Sequence, residues 1–334
     1  NLQYRSFIDF SADLLGPWAG FFTGWTYWFC WIITGIADVI AISAYAQFWW
    51  PDLPQWAPAV ACVGLLLGLN LLTVKLFGEV EFWFAMIKIV AIVALVGTGI
   101  YMVGSGFTSP AGRTASLANL WNDGGMFPHG AMGFFAGFQI AVFAFVGIEL
   151  VGTTAAEAKD PHRTLPRAIN SIPVRNIIFY VCALIAIMAV TPWRDVVADK
   201  SPFVELFVLA GLPAAAGIIN FVVLTSAASS ANSGVFSTSR MLFGLAHKGD
   251  APMAFGRLLA SSVPSNGLLF SCICLLGGAF LMWVVPNLMQ AFPLVTTISA
   301  ILFMFVWSLI LLSYIAYRRN RPSLHKASRY RMPG

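Results

Sequence analysis

Residues 137–149 read GFQIAVFAFVGIE, an apolar run that ends in Gly147 and, two residues later, an acid, Glu149. The run lies inside a longer apolar segment, 131–156, which can cross a bilayer as a helix. Glycine weakens a helix, and a charge within hydrocarbon costs about 3 kcal/mol on insertion scales. Either the helix is interrupted and its carbonyl groups line a cavity, or Gly147 marks a tight helix crossing and Glu149 bonds to a neighbour. The sequence leaves both interpretations open.

Seven further apolar segments surround this one. The eight predicted membrane spans are 18–45, 57–74, 82–103, 131–156, 177–193, 214–245, 267–285 and 292–317. Hydrophobic residues make up 59% of the chain and charged residues 10%, whereas a soluble domain carries about 25% charged residues. The mean hydropathy is +0.79. We therefore predict an all-α integral membrane protein with one transmembrane domain over residues 1–334.

The basic residues predict the orientation. If residues 1–16 are cytoplasmic, fifteen of the 19 Lys and Arg residues fall in inner segments, three fall in outer segments, and Lys88 lies within a span. This distribution follows the positive-inside rule and puts both ends of the segment in the cytoplasm. The net charge of +5 therefore reflects topology, and no nucleic-acid binding is expected, because no soluble basic domain is present.

Three spans carry an ionisable residue, Asp38, Lys88 or Glu149. Such residues usually mark a path for a solute or an ion, so the sequence indicates a membrane transporter. Lys88 lies roughly 9 Å from the inner end of its span, at 1.5 Å per residue. It either extends to the headgroups or forms a buried ammonium that loses and regains a proton. Sequence alone favours neither.

Two helix faces are candidates for a cavity lining. Tyr27, Trp31, Thr34 and Asp38 recur on one face of the first span, which suits a cavity better than lipid, although an aromatic packing stripe is the alternative. The sixth span is rich in hydroxyls, and one face carries Ser226, Ser230, Ser233 and Ser237. Most of these hydroxyls are expected to link helices, while one or two would reach substrate or Lys88.

The sequence shows no enzymatic pattern. The four histidines lie in loops or near the end of the chain, and we find no nucleophile elbow, zinc-ligand spacing or phosphate-binding glycine loop. We predict no enzyme, no metal and no cofactor other than a coupling proton.

Several motifs resemble the bacterial amino acid permeases of the amino acid–polyamine–organocation superfamily. They are residues 143–149 (FAFVGIE), 157–169 (EAKDPHRTLPRAI) and 231–242 (ANSGVFSTSRML), with further likeness at 20–30 (GFFTGWTYWFC) and 82–88 (FWFAMIK). The resemblance runs along the whole chain. It implies a LeuT-like inverted five-plus-five repeat, of which this chain holds the third to tenth spans. The first two and last two spans, with the carboxylate-binding half of the site, would lie outside it.

The resemblance also implies roles for individual residues. Backbone carbonyls of Phe143, Ala144 and Val146, beside Gly147, would hold the substrate ammonium, with the Phe143 ring as an outer lid. Lys88 and Glu149 would serve proton coupling. Four further residues are predicted substrate contacts, although the resemblance does not assign them individual roles: Tyr27, Trp31, Thr34 and Ser230. Three residues are predicted to close the inner side: Glu157, Asp160 and Arg163.

The function that follows is proton-coupled uptake of small neutral amino acids, with D-alanine, D-serine and glycine first, across the bacterial cytoplasmic membrane. The expected partners are the amino acid, a proton and membrane lipids; the sequence does not predict an oligomeric state. A permease for L-amino acids such as proline or an aromatic one is the first alternative. A channel subunit is the second, and saturation and counterflow would distinguish a carrier from it.

Overall fold

A computed structural model describes residues 7–71, 74–150, 161–196, 200–259, 263–285 and 288–328, without the side chains of 74–81, 161–165 and 288–290. The described chain is helical, and one isolated β-bridge joins Thr108 to Thr114. The α-helices are α1 (Phe7–Leu15), α2 (Pro17–Ala46), α3 (Trp56–Leu71), α4 (Val74–Gly104), α5 (Gly130–Ala144), α6 (Pro161–Asn176), α7 (Cys182–Val190), α8 (Pro202–Leu209), α9 (Pro213–Lys248), α10 (Ser265–Val284), α11 (Leu288–Asn320) and α12 (Pro322–Ala327).

The helix α2 is the centre of the bundle. It packs against α1, α3, α9, α10 and α11, and it is apolar around most of its circumference, as expected of a helix enclosed by others. Tyr27, Cys30 and Ala37 in this helix have no exposed surface. A second cluster of buried side chains joins α4 to α7, α8 and the first half of α9. Functional groups on α2 are therefore held by neighbours on several sides.

Small residues allow the closest helix contacts. A Cβ atom on Gly99 would lie 2.7 Å from the Cβ of Ala186, so α4 and α7 approach nearly to backbone contact. A Cβ on Gly267 would lie 2.9 Å from the carbonyl oxygen of Ser239, which fixes α10 against α9 in the same way. Such small-residue contacts are typical of helix packing in membranes.

Within the residues that the structure describes, six helical segments are long and apolar enough to cross a membrane: Pro17–Ala46, Phe82–Gly104, Pro166–Val190, Pro213–Lys248, Ser265–Val284 and Ala291–Asn320. The helices α3 and α5 are shorter apolar segments. Large apolar side chains on the outer faces are exposed, including Val90, Ile100 and Trp283. Exposed apolar surface of this extent is what lipid covers in an integral membrane protein. The assignment of all eight predicted segments as membrane spans stays a prediction.

The largest difference from the predicted layout concerns the segment before the fifth span. The predicted spans 131–156 and 177–193 leave residues 157–175 between them as an inner loop. The chain is instead helical from Pro161 and continues through a π-helical turn at Ile177–Val181 to Val190. The expectation relied on hydropathy, which falls in this polar segment, whereas backbone hydrogen bonding does not require apolar side chains.

The short helix α1 is fastened to the ends of two long helices. Asp9 pairs with Lys248 at the end of α9, and Asp13 pairs with Arg321, just after α11, at 2.7 Å. The buried hydroxyls of Ser11 and Ser313 lie 3.2 Å apart. Polar bonds thus anchor α1 against α9 and α11.

Candidate functional site

The helix that starts at Gly130 is interrupted beside the predicted glycine. It ends at Ala144, residues 145–149 form turns, and the chain is helical again at Leu150. Gly147 has a φ of 98°, a conformation that residues with a side chain rarely adopt. The interruption therefore depends on the glycine, and the alternative of an unbroken helix with a tight crossing at Gly147 is wrong.

Glu149 holds the interruption in place. Its carboxylate accepts hydrogen bonds from the backbone N–H of Gly147 at 3.2 Å, from the hydroxyl of Tyr27 at 3.1 Å and from the indole N–H of Trp307 at 3.3 Å. We call Tyr27, Gly147, Glu149 and Trp307 the clamp. It ties the turn to both α2 and α11, and a carboxylate with three donors is well satisfied.

The end of α5 presents backbone carbonyls at the interruption. The carbonyl of Phe143 accepts from the N–H of Val146 at 3.1 Å, and the carbonyl of Ala144 accepts from the hydroxyl of Tyr180 at 2.7 Å. Each carbonyl oxygen has two lone pairs, so one bond does not exhaust it. The C-terminal end of a helix also carries partial negative charge. This arrangement suits a small cation such as a substrate ammonium group.

The predicted face of α2 packs against other helices and does not line the large cavity described below. Tyr27 is fully buried, Trp31 is 5% exposed and Thr34 is 4% exposed. The Thr34 hydroxyl lies 2.7 Å from that of Ser299 on α11. The Trp31 ring passes close to the interruption, because a Cβ on Gly147 would lie 3.8 Å from its edge. Periodicity identified a buried polar face but could not distinguish a helix interface from a cavity wall.

Lys88 is held inside the bundle. Its ammonium donates a hydrogen bond to the hydroxyl of Ser229 on α9 at 3.1 Å, so the alternative in which it extends only to the headgroups does not hold. Lys88 also interacts electrostatically with Asp38 on α2, and the hydroxyl of Ser230 approaches the Asp38 carboxylate. We call Asp38, Lys88, Ser229 and Ser230 the amine cluster. It joins three helices. In this cluster Ser230, a predicted substrate contact, lies against the carboxylate of Asp38.

A large open cavity adjoins the amine cluster. Its volume is about 1210 Å³, and its wall includes Tyr45, Lys88, Asn220, Ser226, Phe292 and Pro293. The ring of Phe143 lies edge-on to that of Phe292, with 6.5 Å between ring centroids. Phe143, the predicted lid, therefore stands beside a residue of the cavity wall. Lys88 is the predicted site residue that contributes to this wall.

Some site residues were missed and others cannot be compared. Ser229, Tyr180 and Trp307 make direct bonds to the site, yet a serine among many, a tyrosine and a tryptophan in apolar spans carry no distinguishing sequence signal.

The predicted gating residues Glu157 and Asp160 lie outside the described residues, as does the side chain of Arg163. Within the described part of the chain, no three His, Cys, Asp or Glu side chains cluster as a metal site would require.

An interrupted helix, a buried amine and a cavity within an apolar helical bundle define a secondary transporter. Comparison with known proteins agrees. The family described as Amino acid permease matches residues 1–334. The D-serine/D-alanine/glycine transporter of Escherichia coli K12 is 70% identical over all of this chain and 71% of its own length. An amino-acid permease of Bacillus subtilis is 51% identical over 71% of its length, and a probable threonine/serine transporter of the same organism 42% over 70%.

The chain belongs to the amino acid permease family. It is therefore a multi-pass membrane protein with the LeuT-like fold, it transports amino acids, and it is not an enzyme. The fold class and the family resemblance predicted from the sequence are both confirmed.

Proposed function

We propose that the protein imports small neutral amino acids together with protons across the bacterial cytoplasmic membrane, with D-alanine, D-serine and glycine as substrates and both ends of this segment in the cytoplasm. The substrates are those named for the relative that is 70% identical over the whole chain. No resident cofactor is needed in this cycle, and lipids are the other partners. Lipid contact is supported by the exposed apolar faces of the spans.

The observation that carries the proton coupling is Lys88, a lysine within a membrane span that bonds to Ser229 and borders the large cavity. A charged group at this depth is costly unless it is paired or used. At the cavity wall it is accessible to water from one side. A change in its charge would alter the relative stability of the outward and inward orientations, as coupling requires.

The substrate would bind at the interruption after α5. Carbonyls of Phe143, Ala144 and Val146 would accept hydrogen bonds from its ammonium group, and the Phe143 ring would cover it on the outer side. The clamp would keep the turn at Gly147 in position while the bundle moves between orientations. The resemblance implied a proton-coupling role for Glu149. We propose instead that it is a positioning residue, which is supported by its three donors. Glu157, Asp160 and Arg163 would close the inner side.

The test is uptake of labelled amino acids by the full-length protein in proteoliposomes under an imposed pH gradient. We expect concentrative uptake of D-alanine, D-serine and glycine, and accelerated counterflow when unlabelled D-alanine is inside. If L-proline or aromatic L-amino acids inhibit the uptake of labelled D-alanine more strongly than D-serine does, the substrates are L-amino acids instead. Flux without saturation or counterflow would indicate a channel. Uptake that ignores the pH gradient would overturn proton coupling.

A further inference from the structure

Asp38 is an intramembrane acid to which neither the comparison with relatives nor the proposed cycle gives a role. It lies on α2 one helical turn beyond Thr34, and its Oδ2 atom is buried without a hydrogen-bond partner. Buried polar atoms are nearly always bonded, so an unmade bond on a carboxylate needs an explanation. Protonation of this oxygen would supply one, because a neutral acid is far less costly to bury than a carboxylate.

The neighbours of Asp38 form a short polar route to Lys88. The hydroxyl of Ser230 approaches its carboxylate, and the charge of Lys88 acts on it. Ser229, the residue beside Ser230 on α9, accepts the hydrogen bond from Lys88. A hydroxyl both donates and accepts hydrogen bonds, so each of these serines can receive a proton from one neighbour and pass one to another.

Other titratable groups also face Asp38. Tyr45 on α2 and Cys62 on α3 both interact electrostatically with its charge. Both are neutral in their protonated forms and neither is a cation, so within the described residues Lys88 is the group that offsets a negative charge on Asp38. Lys88 and Tyr45 also line the large cavity, which gives water access to this end of the cluster.

We propose that Asp38 is a second coupling residue, which exchanges the transported proton with Lys88 through the hydroxyls of Ser229 and Ser230. In the transfer an N–H bond of the Lys88 ammonium breaks and an O–H bond forms on Asp38, while each intervening hydroxyl gives up one proton and gains another. The pair passes from ammonium and carboxylate to amine and acid, and no other reactant is needed. This inference rests on the proposed proton-coupled function.

The decisive variant is Asp38→Asn in the full-length protein, with Asp52→Asn as the matched control, because Asp52 is an exposed acid just beyond the same helix. Two quantities are measured in proteoliposomes: D-alanine accumulation under a pH gradient, and internal acidification on D-alanine addition. We expect Asp38→Asn to lose both while counterflow persists, and Asp38→Glu to restore them in part. Asp52→Asn should behave as the unmodified protein does.

Full accumulation and acidification by Asp38→Asn would overturn the inference while leaving the proposed function standing. If the unmodified protein itself shows no pH-driven accumulation, the proposed function has failed instead. Should Asp38→Asn fail to fold, as judged by size-exclusion chromatography, Ser229→Ala decides, because Ser229 accepts the hydrogen bond from Lys88 and is not a predicted substrate contact. Slower acidification with unchanged counterflow supports the proton route, and unchanged acidification refutes it.

Discussion

The clamp and the amine cluster each place a carboxylate among the central helices, but the two carboxylates differ in their hydrogen bonding. Glu149 in the clamp accepts three hydrogen bonds, from Gly147, Tyr27 and Trp307. Asp38 in the amine cluster leaves one buried oxygen without a partner and depends on Lys88 for charge balance. The carboxylate of Glu149 is therefore fully supplied with donors, whereas that of Asp38 is not.

This difference separates two tasks that buried acids perform in a transporter. An acid held by donors from two helices and its own turn stabilises a backbone shape, here the interruption that exposes carbonyls. An acid beside an amine, with incomplete hydrogen bonding, suits a change of charge during a cycle. The variants below test whether Glu149 maintains the turn while Lys88, the partner of Asp38, carries the proton coupling.

The largest effect is expected for Lys88→Ala. Removing the amine should abolish pH-driven accumulation of D-alanine, because Asp38 then has no amine with which to exchange the proton, while counterflow continues. A gradient of one pH unit supports about tenfold accumulation per proton, so the loss is easily measured in proteoliposomes. Lys200→Ala is the matched control, since Lys200 borders the same cavity but pairs with Glu205 at 3.4 Å near the surface.

Continued concentrative uptake by Lys88→Ala would break the comparison, because coupling would then lie elsewhere, with Glu149 the first alternative. A loss of accumulation in Lys200→Ala as large as that in Lys88→Ala would also count against a specific role. An exposed pair such as Lys200 and Glu205 contributes at most about 1 kcal/mol, so its removal should leave accumulation near normal.

A smaller effect is expected for Glu149→Gln. The amide keeps the shape of the side chain but loses its charge and one acceptor oxygen, so at least one of the bonds from Tyr27, Trp307 and Gly147 is lost. Hydrogen bonds to a charged group contribute about 1.5–3 kcal/mol each, which corresponds to roughly 10- to 150-fold in substrate affinity or rate. The measurement is the KM and maximal rate of D-alanine uptake at several pH values.

If Glu149 only positions the turn, the pH dependence of the remaining Glu149→Gln transport should match that of the unmodified protein. A transport rate that no longer depends on pH would instead show that Glu149 carries the proton, as Asp38 is proposed to do. The double variant with Tyr27→Phe sharpens the result. Because Glu149→Gln weakens the charge-assisted bond that Tyr27→Phe removes, their combined effect should be less than additive.

A still smaller effect is expected for Gly147→Ala. The added methyl group has room, since the nearest atom lies 3.8 Å away, but the φ of 98° is unfavourable for alanine. The strain costs about 1–2 kcal/mol, or roughly 5- to 30-fold in substrate affinity. Gly137→Ala is the control, because it lies within α5 and has open space around it. Equal affinities for the two variants would show that the turn does not need this conformation.

The sequence predicted the features that depend on local chemistry. Span composition predicted a helical membrane protein. Gly147, two residues before Glu149, left an interrupted helix and a tight helix crossing as open alternatives, and the family resemblance favoured the interruption. The motif at 157–169 supported the family, but its low hydropathy placed it in a loop between two predicted spans. The helix that begins at Pro161 shows that backbone hydrogen bonding prevailed.

Contacts between distant segments could not be predicted in this way. Tyr27 and Trp307 lie 122 and 158 residues from Glu149, and nothing in their neighbourhoods marks them as its donors. The same holds for Ser229 beside Lys88, where four similar serines on one face appeared better placed. Which residue of a helix meets a partner depends on the rotation and crossing of both helices, and a single sequence does not contain that information.

The smallest predicted effect concerns the hydrogen bond between Tyr180 and the end of α5, at the interruption. Tyr180 donates its hydroxyl to the carbonyl of Ala144 at 2.7 Å, and its ring lies 5.6 Å from that of Phe145. Tyr180→Phe keeps the ring contact and removes one neutral hydrogen bond, worth about 0.5–1.5 kcal/mol. We expect KM for D-alanine to change by about 2- to 13-fold at that energy, with coupling intact. A loss of pH-driven accumulation in this variant would mean that the interruption and the amine cluster do not act separately, because a bond that involves neither Asp38 nor Lys88 would then control the proton.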